Sequence, residues 1–261
     1  MVENLLFNVK NGRGKTAVVV PWSFAAWIVF AEVVSVLIGP GPGSLLHAFL
    51  LPVLLTLYSW GEEAPYRRIL PVLALLSLLR LLSLVMPVPS VAPFYWHVLI
   101  GSNLLLALLL TVRLLNVSRR SLALQPGQIQ AQALIAISGL PLAIVARWLL
   151  RPSQPPAEYS RLELLVGSLI LLIFAAFVEE ILFRGLLRSI AGEVLGAGGT
   201  IYGSLLFAAM HAGSLSLSYA LFMGLVGLFF NWCVERTNSL LGVIFAHTFI
   251  LIAVTFGGWF T

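Results

Sequence analysis

The sequence predicts an all-α fold, a polytopic transmembrane helix bundle of about eight or nine spans. Two observations carry that prediction. Hydrophobic residues make up 60% of the chain and charged residues only 10%, with a mean hydropathy of +1.01; a soluble domain carries roughly 25% charged residues. The apolar residues also gather in runs near the ~20 that cross a hydrocarbon core, parted by turn-rich segments.

The basic stretch MVENLLFNVKNGRGK leads into a first span at 16–38. Its apolar run exceeds a signal-peptide core and no small-residue cleavage site follows, so it is expected to stay as a membrane helix. GPGPG at 39–43 ends it and a second span follows at 43–60. GEEAPYRR at 61–68 precedes the span at 68–87, and PVPSVAP at 87–93 precedes the span at 94–115. The fifth span, 131–149, is parted by RPSQPPAEYS (151–160) from a sixth at 162–188. Three more follow at 199–212, 216–234 and 239–260; the first of these is short, which leaves the count at eight or nine. Residues 1–150 are expected to form an N-terminal region of about five spans, and 151–261 a second region that holds the rest.

Arg and Lys fall in short loops, which reads as topology control rather than nucleic-acid binding. With the N-terminus cytoplasmic, the cytoplasmic ends hold Lys10, Arg13 and Lys15, Arg67 and Arg68, Arg113, Arg119 and Arg120, Arg184 and Arg188, and Arg236. The opposite ends hold Arg147, Arg151 and Arg161, and Arg80 lies inside the third span. The expected setting is a prokaryotic plasma membrane, with the lipid bilayer as partner. A lone Cys233 excludes an internal disulfide, and no Cys/His spacing suggests a structural metal, so no cofactor is expected. The absence of any sequence repeat speaks against an inverted-repeat transporter.

The segment FVEEILFRG, 177–185, places Glu179, Glu180 and Arg184 inside an apolar span. Unpaired at mid-bilayer, three charges would cost about 8–10 kcal/mol on insertion scales, so such residues face the protein interior and mark function. Glu180 and Arg184 are four apart and pair on one face. Glu179 is rotated by about 100° from Glu180 and points elsewhere. At 1.5 Å per residue, Glu179, His211 and His247 lie roughly 14, 18 and 12 Å from the cytoplasmic ends of three separate helices. One layer, in the cytoplasmic half of the membrane, therefore holds a carboxylate and two imidazoles. Phe207 shares a face with His211. A carboxylate beside an imidazole in a low-dielectric cavity can take a proton from water, and a second imidazole can donate to the resulting oxyanion. A structural polar network accounts for the same residues equally well. His47 and His97 read as helix-bridging hydrogen bonders, and Glu32 and Arg80 as structural or pore-side residues.

Glu179-Glu180-x-x-x-Arg184 resembles the EExxxR motif of the CPBP family, the CAAX proteases and bacteriocin-processing enzymes. Phe207-x-x-x-His211 resembles its FxxxH motif, and LFMGLVGLFFNWCVERTNSLLGVIFAHTFI its third region, where an R-T-G-S-L-like turn precedes a final histidine. The likeness spans roughly 160–255, which implies a catalytic core at 151–261 and leaves the five spans of 1–150 outside it. It implies an intramembrane glutamate endopeptidase, independent of metal, acting on a membrane-anchored or lipidated peptide. Glu179 and His211 would activate water, Glu180 and Arg184 would organise the site, and His247 would belong to the oxyanion hole. One position departs: the family's last motif is HxxxN or HxxxD, and Leu251 stands four after His247. Asn231 and Thr248 are candidates to replace that donor. The alternative is a non-proteolytic scaffold that binds a membrane-protein partner.

Overall fold

The computed structural model describes residues 12–60, 64–86, 93–150, 159–214 and 216–256, and among these the chain forms nine helices and no strand. They are α1 Gly12–Leu37, α2 Pro40–Trp60, α3 Leu70–Val85, α4 Trp96–Leu114, α5 Ile129–Leu150, α6 Arg161–Leu195, α7 Gly198–Met210, α8 Leu217–Thr237 and α9 Leu241–Phe256. Seven are long and apolar enough to cross a membrane; α7 and α9 are shorter. The turn segments at 61–63, 87–92 and 151–158 and the end of the last expected span lie outside the described residues.

Two boundaries differ from the hydropathy reading. Helix α2 begins at Pro40, within GPGPG, because proline suits a first helical turn, where its missing N–H has no partner to lose. Helix α6 runs past 188 to Leu195, where Gly196 at φ +58° ends it. Its start is fixed by a reciprocal cap. Ser160 Oγ accepts the Glu163 N–H at 3.2 Å, and the Glu163 carboxylate accepts the Ser160 N–H at 2.8 Å. Between these ends α6 is not uniform. Widened π-helical stretches, Leu171–Ala176 and Ile181–Leu187, flank the single α-helical turn Phe177–Glu180. Such widening re-aims side chains within a helix.

Close backbone approaches seat the helices that matter for the site. A Cβ on Gly139 of α5 would lie 2.4 Å from Ala246 Cα of α9, and one on Gly101 of α4 would lie 2.0 Å from the Phe174 carbonyl of α6. Only glycine permits either contact, the small-residue packing that brings membrane helices together. Gln132 Oε1 accepts the Gly242 N–H at 2.7 Å and anchors the start of α9. Outward faces carry exposed Leu45, Phe49, Leu134, Ile137, Ile144 and Trp148, as lipid contact requires.

One end of the bundle gathers polar ties. Arg68 pairs with Glu193, and its Nη2 donates to the Leu115 carbonyl at 3.0 Å. Arg188 donates to the Ser121 carbonyl at 3.1 Å, and Thr200 Oγ1 to Glu235 at 2.7 Å. At the same end Asn238 adopts φ +50° to close α8 within the turn RTNSL, a left-handed conformation that asparagine tolerates in place of glycine.

Candidate active site

Glu179 and Glu180 sit on the α-helical turn between the two widened stretches of α6, His211 caps the end of α7, and His247 lies midway along α9. Glu180, Arg184 and His247 are buried, at 0%, 1% and 0% exposure. The Glu179 side chain keeps 22% exposure and His211 is half-buried. The buried trio is a structural clamp, and the other two side chains keep part of their surface open.

Glu180 Oε1 is the hub. It accepts from Arg184 Nη1 at 3.1 Å and from His247 Nδ1 at 2.7 Å. The guanidinium of Arg184 lies over the Phe207 ring, 3.8 Å from its centroid, with Phe230 at 5.4 Å. A cation on a desolvated ring face is stabilised by about 2 kcal/mol or more, so aromatic faces stand in for the hydrogen bonds that Arg184 Nε and Nη2 do not make among the described residues. Phe207 holds its second neighbour too: its carbonyl accepts from His211 Nδ1 at 2.8 Å, and the two rings lie 4.5 Å apart.

These bonds decide the tautomer of each imidazole. A carboxylate or carbonyl acceptor fixes the proton on Nδ1 in both rings, so Nε2 is the second functional atom of each. His247 Nε2 is buried with no hydrogen-bond partner among the described residues and lies 4.0 Å from Glu179 Oε2. One donor atom each from Glu179, His211 and His247 falls within 4.8 Å of the others. The five residues singled out in the sequence are thus brought together. The Glu180–Arg184 pair forms as spacing required, but the nearest carboxylate to His247 is that of Glu180, not Glu179.

Leu251 is partly buried in an apolar cluster with Phe94, Ile170, Leu171, Ala175 and Phe256. The two candidate substitutes are otherwise engaged. Thr248 Oγ1 donates to the Ile244 carbonyl at 2.7 Å, and Asn231 Nδ2 to Ser204 Oγ at 3.0 Å. A second buried network joins α1, α2 and α3, built from residues that the sequence marks one by one without pairing them. Arg80 Nε and Nη2 donate to the two oxygens of Glu32 at 2.5 and 2.7 Å, and His47 Nε2 lies 3.0 Å from Glu32 Oε1. Its Arg80 abuts Gly213, just beyond His211: a Cβ on Gly213 would lie 3.1 Å from Nη2. His97 packs edge-on against Trp96.

Residues 161–253, which hold all five of these site residues, match the family model described as Rce1-like, type II CAAX prenyl endopeptidase. This segment is similar to that family. No curated protein and no solved structure compared with the chain gives a match. The matched segment runs from the start of α6 into α9, while α1 to α5 lie outside it. Seven apolar helices together with this match describe a multi-pass membrane protein with a segment similar to CAAX proteases.

Proposed function

We propose that the protein is an intramembrane endopeptidase that hydrolyses a peptide bond in a membrane-anchored or lipidated peptide, using water activated by Glu179 and His211. The observation that carries the reading is the convergence of Glu179, His211 and His247 donor atoms within 4.8 Å, from three helices of the Rce1-like core. Glu179 takes a proton from a water that His211 Nε2 orients, and the hydroxide adds to the carbonyl carbon. His247, protonated on both nitrogens with Glu180 balancing its charge, donates Nε2–H to the oxyanion. Glu179 then returns its proton to the departing amine as the C–N bond breaks. Glu180 and Arg184 hold His247 and Phe207 in place and do not touch the substrate. The basic end of the bundle reads as cytoplasmic in a plasma membrane, with the substrate entering from the bilayer. Mass spectrometry of a vesicle-tethered peptide incubated with the reconstituted protein in H₂¹⁸O tests this. One ¹⁸O in a new carboxylate is expected; intact peptide with well-folded protein contradicts it.

Leu251 favours a second reading, a non-proteolytic scaffold that keeps the polar core for stability. That reading expects no cleavage by the wild type and a partner membrane protein whose binding survives Glu179→Gln.

A further inference from the structure

We propose that the groove between loop 115–128, α6 and the start of α9 binds one anionic phospholipid, an acyl chain in the groove and the phosphate on Arg119 and Arg120. The groove has a volume of about 280 Å³ and is lined by residues 123–126, Phe177, Leu240, Leu241 and Ile244. Gln125 is its one polar lining residue, and none of Glu179, His211 and His247 takes part. Leu124 and Leu241 are exposed, so it opens outward. Phe177 lies midway along α6, so it also reaches membrane depth. A cleft lined this way takes hydrocarbon in preference to water or a polar solute.

Two cations stand one turn from it. The Arg119 and Arg120 carbonyls accept the N–H groups of Leu124 and Ala123, both at 3.0 Å, so the segment that walls the groove also carries both guanidiniums. Both arginines are exposed and make no ion pair among the described residues. The described carboxylates at this end are engaged, Glu193 by Arg68 and Glu235 by Thr200. Basic pockets between membrane helices are where acidic headgroups bind. The loop is also held in a costly shape. Ala123 is fully buried at φ +54°, a left-handed conformation unfavourable to alanine. Its surroundings fix it there: the Ala123 carbonyl accepts the Leu240 N–H at 3.1 Å, Leu124 bridges Ser239, and Arg188 donates to the Ser121 carbonyl at 3.1 Å. Strain maintained in this way gathers at ligand clamps. An anionic phospholipid meets both halves of the site, whereas a soluble anion suits only the arginines and a neutral lipid only the groove.

Binding does not rest on the proposed function. Native mass spectrometry tests it on the full-length protein in neutral detergent, supplied with dioleoylphosphatidylglycerol or dioleoylphosphatidylcholine. One phosphatidylglycerol per chain should be retained in preference to phosphatidylcholine, and glycerol phosphate, its soluble headgroup, should not displace it. Arg119→Gln with Arg120→Gln should weaken retention by about 25-fold, about fivefold for each arginine. Leu241→Trp, which puts an indole into the groove, should abolish it. Arg161→Gln removes an exposed charge at the opposite end of α6 and should bind as wild type. Unfolding midpoints check that each variant is folded; phosphatidylglycerol should raise the midpoint of wild type but not of Leu241→Trp. Equal retention of the two lipids, or a loss that Arg161→Gln reproduces, overturns the site. Retention that survives Leu241→Trp overturns the acyl groove. Displacement by glycerol phosphate would assign the arginines to a free phosphate, and displacement by a neutral acylated peptide would assign the groove to substrate; either overturns the phospholipid.

Discussion

Arg184→Ala is the substitution whose outcome the structure constrains most tightly. Arg184 is 1% exposed, its partner Glu180 is 0% exposed, and the guanidinium sits 3.8 Å from the Phe207 ring centroid. Removing one member of a buried ion pair costs about 3–5 kcal/mol, because the other charge is left uncompensated. The lost ring contact adds about 2 kcal/mol. Against this, His247 remains hydrogen-bonded to Glu180 at 2.7 Å and relieves part of the exposed charge. The net expectation is about 3–5 kcal/mol, a shift of roughly 100-fold or more in the unfolding equilibrium. Equilibrium unfolding in mixed detergent–SDS micelles measures it. The double variant Glu180→Gln with Arg184→Met, which removes both charges, should recover at least half of the loss. A single variant within about 0.5 kcal/mol of wild type, the range of a surface change, would refute the buried pairing.

Other consequences follow from the same geometry. Leu251→Asn restores an amide one turn beyond His247; since one oxyanion donor is worth about 10²–10³ in rate, hydrolysis should rise by at least about tenfold, measured on a tethered peptide, while burial of the amide lowers stability by about 1–3 kcal/mol. Gly139→Val forces a side chain into Ala246 at 2.4 Å. It should destabilise the α5–α9 contact by at least about 1–3 kcal/mol and reduce hydrolysis through displaced His247, read by unfolding and rate together. Glu32→Ala leaves Arg80 buried without its carboxylate and should cost about 3–5 kcal/mol in the same micelle assay.

Sequence made the bundle legible because hydropathy depends on composition over a window, and turn residues mark where the windows end. The Glu180–Arg184 pair was legible for a local reason too, since four-residue spacing fixes a shared face. What escaped depends on how separate helices are rotated about their axes. His247 meets Glu180 at 2.7 Å as well as Glu179 at 4.0 Å, on a turn that widened stretches flank on both sides, and i→i+5 bonding has no composition signal. The Glu32–Arg80–His47 network spans three helices that no spacing rule connects. Phe207 was read as a neighbour of His211, which it is, yet its ring also seats Arg184. Leu251 was visible as a departure from a motif, but its place among Phe94, Leu171 and Phe256 required the fold.

The central claim is that the Glu179 carboxylate activates the attacking water. Its most direct test compares the hydrolysis rate of wild type and Glu179→Gln in the same vesicles, with unfolding curves run in parallel. The account predicts a fall of about 10²–10⁴-fold in rate, the usual worth of a positioned general base, with the unfolding midpoint unchanged. Equal rates from two equally stable proteins would contradict it.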